Sequence, residues 1–108
     1  MQYKRWEIWW ADVKYEDAPE TVESRPVLVV TQQEIFIIAF KMTGTKRVND
    51  YPITDWQGAG LSKETHIRAD MKLKLLDSDL TDKIGSLQPR DIIGFQKHIT
   101  KNSGPPSW

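Results

Sequence analysis

The chain has 108 residues and no cysteine, and its 15 lysines and arginines balance its 15 aspartates and glutamates. This length allows one domain with a modest core, and the lack of cysteine excludes disulfides and thiolate metal sites. The balanced charge argues against a general nucleic-acid binder, which is usually basic, so any function on nucleic acid must depend on a local site. No apolar run approaches the roughly 20 residues that span a bilayer, and no signal peptide is recognisable, which predicts a soluble cytoplasmic protein.

The N-terminal half is predicted to contain three strands. Side chains of residues 6–13 alternate between two faces, which predicts a strand. Large aromatic side chains occur on both faces, which predicts that the core covers one face and a partner subunit the other. Residues 14–24 are polar and acidic around Pro19, which predicts a long loop. The apolar runs at 26–30 and 35–42 are typical of buried strands.

The following segment is predicted to contain shorter elements. Residues 46–50 form a basic-to-polar loop that leads into a short strand at 51–54. Asp55 is suited to cap one turn, which glycines then end. Residues 65–70 alternate cleanly and residues 73–76 continue in extended form, which predicts strands in both stretches.

A helix is predicted at residues 89–100. Pro89 suits the first helical position, and an apolar stripe follows at helical spacing, formed by Ile92, Phe95 and Ile99. We therefore expect a single domain over residues 1–101 and a frayed tail over 102–108. About six short strands and a terminal helix indicate a β-rich α+β fold, in which a strongly bent sheet or barrel packs against the helix.

Three groups of motifs occur in a fixed order along the chain. The first is Glu7-Ile-Trp-Trp-Ala-Asp, followed after the polar segment by Arg25-Pro-Val-Leu-Val-Val; the second is Lys41-Met-Thr-Gly. The third is Arg68-Ala-Asp-Met-Lys with the later Lys83-Ile-Gly-Ser-Leu-Gln. Together they resemble the MazF/PemK/Kid toxins of type II toxin-antitoxin systems over nearly the whole chain, and residues 55–61 are similar to the short PemK-like branch.

This resemblance implies an SH3-like barrel that forms a homodimer and cleaves single-stranded RNA at a short sequence, without a metal or other cofactor. The products would carry 2′,3′-cyclic phosphate and 5′-hydroxyl ends, and an antitoxin protein would block the RNA groove. The alternative is a catalytically weak or inactive SH3-like module that binds RNA or a protein partner. The neutral charge and the acidic segment at 14–24 favour the alternative, whereas the retained polar motif residues favour the enzyme.

Four motif residues are the predicted catalytic residues: Arg25, Thr43, Arg68 and Asp70. Metal-free cleavage needs a group that takes the 2′-hydroxyl proton, a proton donor for the 5′-oxygen and donors to the phosphorane oxygens. Arg25 is assigned as phosphate clamp and proton donor, because arginine stays protonated and makes a poor base. Asp70 is the natural base, and Thr43 corresponds to the hydroxyl residue of the family.

Arg68 and Asp70 stand two apart on one predicted strand, at roughly 6.5 Å, a width that suits one phosphate. Each assignment has a structural alternative. Arg25 would form a surface salt bridge with the acidic segment, and Thr43 would satisfy a backbone group at the strand end. Arg68 and Asp70 would be an exposed charge pair on a solvated strand face.

Four further residues are predicted to bind RNA. Lys46 and Arg47 supply positive charge in the second loop, and Trp56 is a candidate for base stacking. His66 shares the strand face of Arg68 by alternation, so it either supplies a titrating group or has no role. The remaining N-terminal tryptophans, Trp6, Trp9 and Trp10, are assigned to core and dimer contacts.

The acidic character of residues 14–24 departs from the family, which usually has glycines and basic residues there. Four carboxylates outnumber Lys14 in this segment and should weaken RNA binding, because affinity for nucleic acid depends on neutralising phosphates. Three explanations stay open. The RNA follows the second loop, the enzyme is slow, or the acidic segment docks elsewhere.

Overall fold

The computed structural model describes residues 3–15, 18–106 and 108. The described elements are β1 Glu7–Tyr15, β2 Ala18–Gln33, β3 Phe36–Thr43, β4 Tyr51–Pro52, β5 His66–Leu76, a 3-10 turn Asp77–Asp79, β6 Leu80–Ser86 and α1 Pro89–Ser103. The strands form one antiparallel sheet in the order β4-β5-β3-β2-β1-β6. The β-rich α+β class with a C-terminal helix is therefore confirmed. In the described part of the chain, no helix is long and apolar enough to cross a membrane.

Irregular pairing curls this sheet into a half-barrel. On β2, Val30 is an extra residue with no partner in the register with β3. On β5, residues 68–71 lie opposite the single residue Lys41 of β3. Extra residues on one strand bend the sheet and increase its twist. The larger of these two irregularities contains the predicted catalytic residues Arg68 and Asp70.

Apolar side chains are buried on both faces of the sheet, as predicted for β1. The first core cluster lies on the side of α1 and includes Ile8, Leu28, Val30, Phe40, Met42, Ile67, Phe95 and Ile99. The second core cluster lies on the other face and includes Ala11, Val13, Val27, Val29, Ile37, Ala39 and Leu75. Tyr3 joins the second cluster and packs edge-on against Trp9, with ring centroids 4.8 Å apart.

The prediction of a long loop at residues 14–24 is wrong. β1 continues to Tyr15 and β2 already begins at Ala18, so most of this segment is an antiparallel hairpin. Exposed residues such as Val22 show that the hairpin meets solvent, and its polar composition therefore hides the period-two pattern of a strand. The acidic residues at 16 and 17 lie outside the described residues.

The C-terminal residues pack against the first core cluster. The ring of Trp108 stacks on Phe95 at a centroid distance of 6.4 Å and an interplanar angle of 9°. The same ring meets Trp6 and Phe40 edge-on, at 6.1 and 5.6 Å. The sequence predicts a frayed tail from residue 102, but α1 continues to Ser103 and the indole of Trp108 is packed. Packing of this ring is favourable because it removes a large apolar area from water.

A buried carboxylate joins α1 to the segment after β4. Asp91 is fully buried in the first turn of α1. It accepts hydrogen bonds from the hydroxyl of Tyr51 at 2.8 Å and from the backbone amides of Thr54 and Asp55 at 2.9 Å each. Asp55 in turn accepts from the amide of Gly58 at 2.9 Å, which confirms the predicted capped turn.

Two glycines let this turn, residues 54–60, lie directly on β6. A β-carbon on Gly85 would lie 2.0 Å from the carbonyl oxygen of Ala59. Gly60 has a φ of +93°, and a β-carbon there would lie 2.5 Å from the carbonyl oxygen of Ile84. Only glycine permits this approach of two backbones. The contact fixes the position of Gly60, from which the chain runs to Thr65 along the site described next.

Candidate active site

Three of the predicted site residues form a row across neighbouring strands. Thr43, the last residue of β3, pairs with His66, the first residue of β5. Continued by two residues, the β2–β3 register places Arg25 opposite Thr43. Adjacent strands are about 4.8 Å apart, so the three backbone positions span about 10 Å. The row therefore brings a guanidinium, a hydroxyl and an imidazole to the same end of β3.

The end of β3 opens a cleft beside this row, which we call the notch. β2 extends well beyond Arg25 towards its first residue, whereas β3 stops at Thr43, so β2 loses its neighbour at this point. The notch has a volume of about 210 Å³, and its walls include Trp10, Arg25, Pro26, Thr43, Lys63 and Thr65. An opening of this kind gives a single-stranded substrate access to strand residues that a continuous sheet would cover.

Arg25 is engaged by a neighbour on its own strand. Its Nη2 lies 2.6 Å from Oε2 of Glu23, and its Nε donates to the same oxygen at 3.1 Å. The salt bridge proposed as the structural alternative for Arg25 is therefore present. Both side chains are about one third exposed, and a pair of this kind contributes only about 0–1 kcal/mol. A phosphate could displace Glu23 from Arg25 at little cost.

Thr43 has a local partner as well. Its Oγ1 accepts a hydrogen bond from the backbone amide of Thr45 at 3.2 Å. The hydroxyl of Thr43 thus satisfies a backbone group at the strand end, which is the non-catalytic role predicted for this residue. A hydroxyl that accepts in this way still has its own proton to donate. Thr43 is therefore able to donate a hydrogen bond towards a substrate oxygen.

Arg68 is buried between two carboxylates. Its Nε lies 3.4 Å from Oδ1 of Asp50 and 3.2 Å from Oδ1 of Asp70, and its Nη2 donates to Oδ2 of Asp70 at 3.3 Å. The side chain of Asp50 is only 2% exposed, whereas that of Asp70 is 69% exposed. The charge pair predicted as the alternative is thus present, and its arginine is buried. Among the described residues, no group of three or more His, Cys, Asp or Glu side chains could hold a metal ion.

Asp70 lies away from the notch. It lines a separate cleft of about 230 Å³ between β5 and the C-terminal residues, together with Phe40, Lys72, Ile99 and Trp108. The hydrogen bond from Arg68 lowers the pKa of Asp70, and the positive charges of Arg68 and Arg47 lower it further. A carboxylate with a lowered pKa is a weaker base. The structure thus brings Arg25 and Thr43 to the notch, places His66 next to Thr43 in the β3–β5 pairing and sets Asp70 apart.

The predicted RNA-binding residues occupy different environments. Lys46 and Arg47 are exposed in the loop after β3. Trp56 is half-buried against the first core cluster, so its ring is partly used in packing. His66 is also half-buried, and within the described part of the chain its Nδ1 is a buried atom without a hydrogen-bond partner.

Three residues at these sites were not predicted from the sequence. Trp10, assigned to core and dimer contacts, is 41% exposed and lines the notch. Lys63 also lines the notch, and Asp50 is the buried partner of Arg68. Trp10 pairs with Pro26, whose side chain lies on the opposite strand face to that of Arg25, so alternation alone does not place Trp10 in the notch. No periodic pattern marks Lys63 or Asp50.

Residues 4–102 match the family model described as a PemK-like, MazF-like toxin of type II toxin-antitoxin systems. The chain belongs to this toxin family. The match covers every strand of the half-barrel and nearly all of α1. The recognition made from the three groups of motifs is therefore confirmed. Among curated proteins, no sequence matches this MazF-like chain.

Three solved structures of similar fold come from mycobacteria. An endoribonuclease in complex with its cognate antitoxin has a TM-score of 0.75 and 17% identity, with 100% of both chains covered. A second mycobacterial endoribonuclease has a TM-score of 0.74 and 16% identity over 100% of this chain and 97% of its own. A MazF toxin of Mycobacterium tuberculosis has a TM-score of 0.73 and 19% identity over 94% and 99%. At these identities the likeness establishes the MazF-like fold alone.

Proposed function

We propose that this MazF-like chain is an endoribonuclease toxin that cleaves single-stranded RNA at a short sequence without a metal and is neutralised by an antitoxin. The observation that carries the proposal is the position of Arg25 opposite Thr43 beside the open notch. Membership of the toxin family supports the activity, and one relative of the same fold is an endoribonuclease held by its cognate antitoxin.

The proposed reaction leaves 2′,3′-cyclic phosphate and 5′-hydroxyl ends. The 2′-oxygen attacks the adjacent phosphorus after a base takes its proton, and the 5′-oxygen leaves with a proton from an acid. In the notch, Arg25 would exchange Glu23 for the non-bridging phosphate oxygens and stabilise the charge that develops on them. The hydroxyl of Thr43 would donate to another of these oxygens.

The base in this proposal is His66 or Asp70. His66 is the neighbour of Thr43 across the β3–β5 ladder, and histidine is the side chain suited to proton transfer near neutral pH. Asp70 and Arg68 form the second pair of predicted catalytic residues, but they bind each other and border a different cleft. These positions favour His66 as the base, with Arg68 and Asp70 at the edge of the RNA path beside Lys46 and Arg47.

The decisive experiment incubates the purified protein with a long single-stranded RNA in EDTA and maps the ends of the products. We expect discrete cuts with 5′-hydroxyl ends. Arg25→Ala should lower the cleavage rate about 100-fold or more, because loss of one charge-stabilising donor costs about 10²–10³ in rate. Arg90→Ala, which removes an exposed arginine on α1, is the matched control and should cleave normally. An Arg25→Ala variant that is folded and fully active would contradict the proposed site.

A second candidate function is an SH3-like module that binds RNA or a protein partner without cutting. The ion pair between Arg25 and Glu23 favours this second function, because Glu23 takes the place at Arg25 that the phosphate would need. In this case the wild-type protein would bind uncleavable and cleavable RNA equally and leave both intact. The EDTA experiment, followed by a filter-binding measurement on the same RNA, distinguishes the two functions.

The proposal also includes a cytoplasmic homodimer and a cognate antitoxin. Light scattering of the purified protein tests the dimer, with twice the mass of the chain as the expected result. The antitoxin is expected from a short acidic reading frame beside the gene, and its co-expression should restore growth in cells that produce this protein. Growth arrest that no neighbouring gene relieves would contradict the antitoxin.

A further inference from the structure

We propose that a cleft between Trp10 and Lys63 holds one nucleobase of the RNA, next to the phosphate at Arg25 and Thr43. Trp10 would stack on the base, and Lys63 would contact a flanking phosphate. This inference rests on the proposed function and deepens it, because it names two residues that position the substrate and select its sequence.

The base would enter what we call the side cleft, a space of about 190 Å³ beside the notch. Its walls include Trp10, Pro26, Leu61, Lys63, Thr65 and Ile84. It shares Trp10, Pro26, Lys63 and Thr65 with the notch, so the two spaces lie next to each other. A nucleotide that follows a phosphate bound at Arg25 would therefore lie close to the side cleft.

Trp10 has the exposure that a stacking platform requires. It is 41% exposed, although Ile8 and Ala11 on the same strand are fully buried. Its position opposite Pro26 keeps the indole next to a rigid ring and beside the open end of β3. Stacking on aromatic side chains is the usual way in which proteins hold the bases of single-stranded nucleic acid. Trp56, by contrast, packs against the first core cluster and lines neither cleft.

Lys63 supplies the charge at the mouth of both clefts. It is exposed, and its Cε and Nζ lie 3.5 Å from the point where a β-carbon on Gly44 would stand, one residue beyond Thr43. Within the described part of the chain it forms no ion pair, unlike Arg25 and Arg68. A lysine without an ion pair, next to the side cleft and to Arg25 and Thr43, suits a nucleotide. The base would contact the apolar wall of the side cleft, and the flanking phosphate would contact Lys63.

The glycine contact between the turn and β6 holds the side cleft open. Gly60 lies in the wall of the cleft, and its backbone is fixed against Ile84. Leu61 follows directly, and its amide donates to the carbonyl of Trp56 at 3.0 Å. The wall that faces Trp10 is therefore set by backbone contacts, so a bound base would meet a preformed slot.

The test uses RNA oligonucleotides with the cleavage sequence found by end mapping, made uncleavable by a 2′-deoxy group at the cut. A 2-aminopurine is placed in turn at each nucleotide around the cut, and its fluorescence is measured on binding. We expect quenching at one nucleotide next to the cut. Trp10→Ala should remove this quenching and weaken binding about tenfold, within the range of a lost base–aromatic stack, whereas Trp10→Phe should keep most of both.

An abasic substitution separates stacking from a change in folding. Removing the quenched base should weaken binding to the wild-type protein about tenfold but should not weaken binding to Trp10→Ala any further, because the partner is already lost. Lys63→Gln should reduce the dependence of binding on salt by about one phosphate contact. Lys97→Gln removes an exposed lysine of α1 and is the matched control, expected to behave as wild type.

The outcomes distinguish this inference from the proposed function. If the wild-type protein cuts RNA and neither Trp10→Ala nor Lys63→Gln changes binding at any nucleotide, the side cleft is not a base site and the cleavage proposal stands. If the wild-type protein neither cuts nor binds RNA, both proposals are overturned. If Trp10→Ala loses antitoxin binding while RNA binding is intact, the side cleft is a protein site and the inference is wrong.

Discussion

The Nε atom of Arg68 lies 3.4 Å from Oδ1 of Asp50, a carboxylate whose side chain is only 2% exposed. Removing the arginine leaves a buried and unpaired charge, which typically costs about 3–5 kcal/mol. We predict that Arg68→Ala lowers the free energy of unfolding by this amount in urea denaturation. Asp70→Ala, which removes the exposed partner of the same arginine, should cost less than about 1 kcal/mol.

Equal losses in the two variants would show that the Asp50 contact contributes little. The comparison also affects how activity data are interpreted. A loss of cleavage in Arg68→Ala would follow from unfolding as well as from a catalytic role, so the role of this pair is better tested with Asp70→Asn, which keeps Arg68 and Asp50 together.

The pH dependence of cleavage should separate the two candidate bases. The hydrogen bond from Arg68 lowers the pKa of Asp70 below its usual value of 3.8, so Asp70 is already deprotonated throughout the neutral range. We predict that Asp70→Asn leaves the midpoint of any acid limb of kcat between about pH 5 and 8 unchanged, and that His66→Ala lowers kcat. Loss of the limb in Asp70→Asn alone would identify Asp70 as the base.

The same pair has a defined effect on stability. Because the pKa of Asp70 is lowered in the folded state, the pair stabilises the fold above the usual value of 3.8, and this contribution is lost as the pH falls through the lower folded pKa. A carbon NMR titration of the Asp70 carboxyl measures the shift directly, and Lys72→Gln provides a variant with a neighbouring charge removed but the Arg68 contact kept.

Neutralising Glu23 should strengthen RNA binding. Its Oε2 lies 2.6 Å from Nη2 of Arg25, so phosphate must compete with this carboxylate. We predict that Glu23→Gln raises the affinity for an uncleavable RNA by up to about fivefold, the equivalent of one exposed ion pair. Glu20→Gln makes the same change in net charge on an exposed residue of the same hairpin. An equal gain in the control would mean that long-range charge, and not the release of Arg25, is responsible.

Alkaline pH should weaken the link between α1 and the sheet. Burial and the hydrogen bond to Asp91 raise the pKa of Tyr51 from 10.0 to about 12. A raised pKa in the folded state means that the stabilisation is complete below pH 10 and is lost as the pH rises towards about 12. We predict that the free energy of unfolding of the wild type falls more steeply across this range than that of Tyr51→Phe. Parallel curves would contradict the assignment, and tyrosinate absorbance follows the ionisation.

The elements with a regular pattern were predictable from the sequence. The apolar runs at 26–30 and 35–42 and the stripe on α1 mark buried strands and a helix, because burial on a fixed side imposes a period. The hairpin at 14–24 was missed for the complementary reason, since a strand that meets solvent on both faces carries no such period. The packing of Trp108 was missed because it depends on where the chain returns after Ser103, which no local pattern encodes.

The site was predictable where a motif and a strand end coincide, as at Arg25 and Thr43. It was not predictable where contacts depend on an irregular register. Residues 68–71 bulge against β3, and this displacement sets the pairing of Arg68 with Asp50 as well as the separation of Asp70 from the notch. Lys63 lies in the irregular segment that follows the glycine contact at Gly60, and no repeating pattern marks such a segment.

The contacts of Phe95, Ile99 and Trp108 also govern the order in which the chain becomes native during synthesis. All three residues follow every strand in the sequence, yet they complete the first core cluster. A nascent chain whose sheet is already formed still exposes the face that these three side chains cover. We therefore expect the native half-barrel to form only after α1 has left the ribosome.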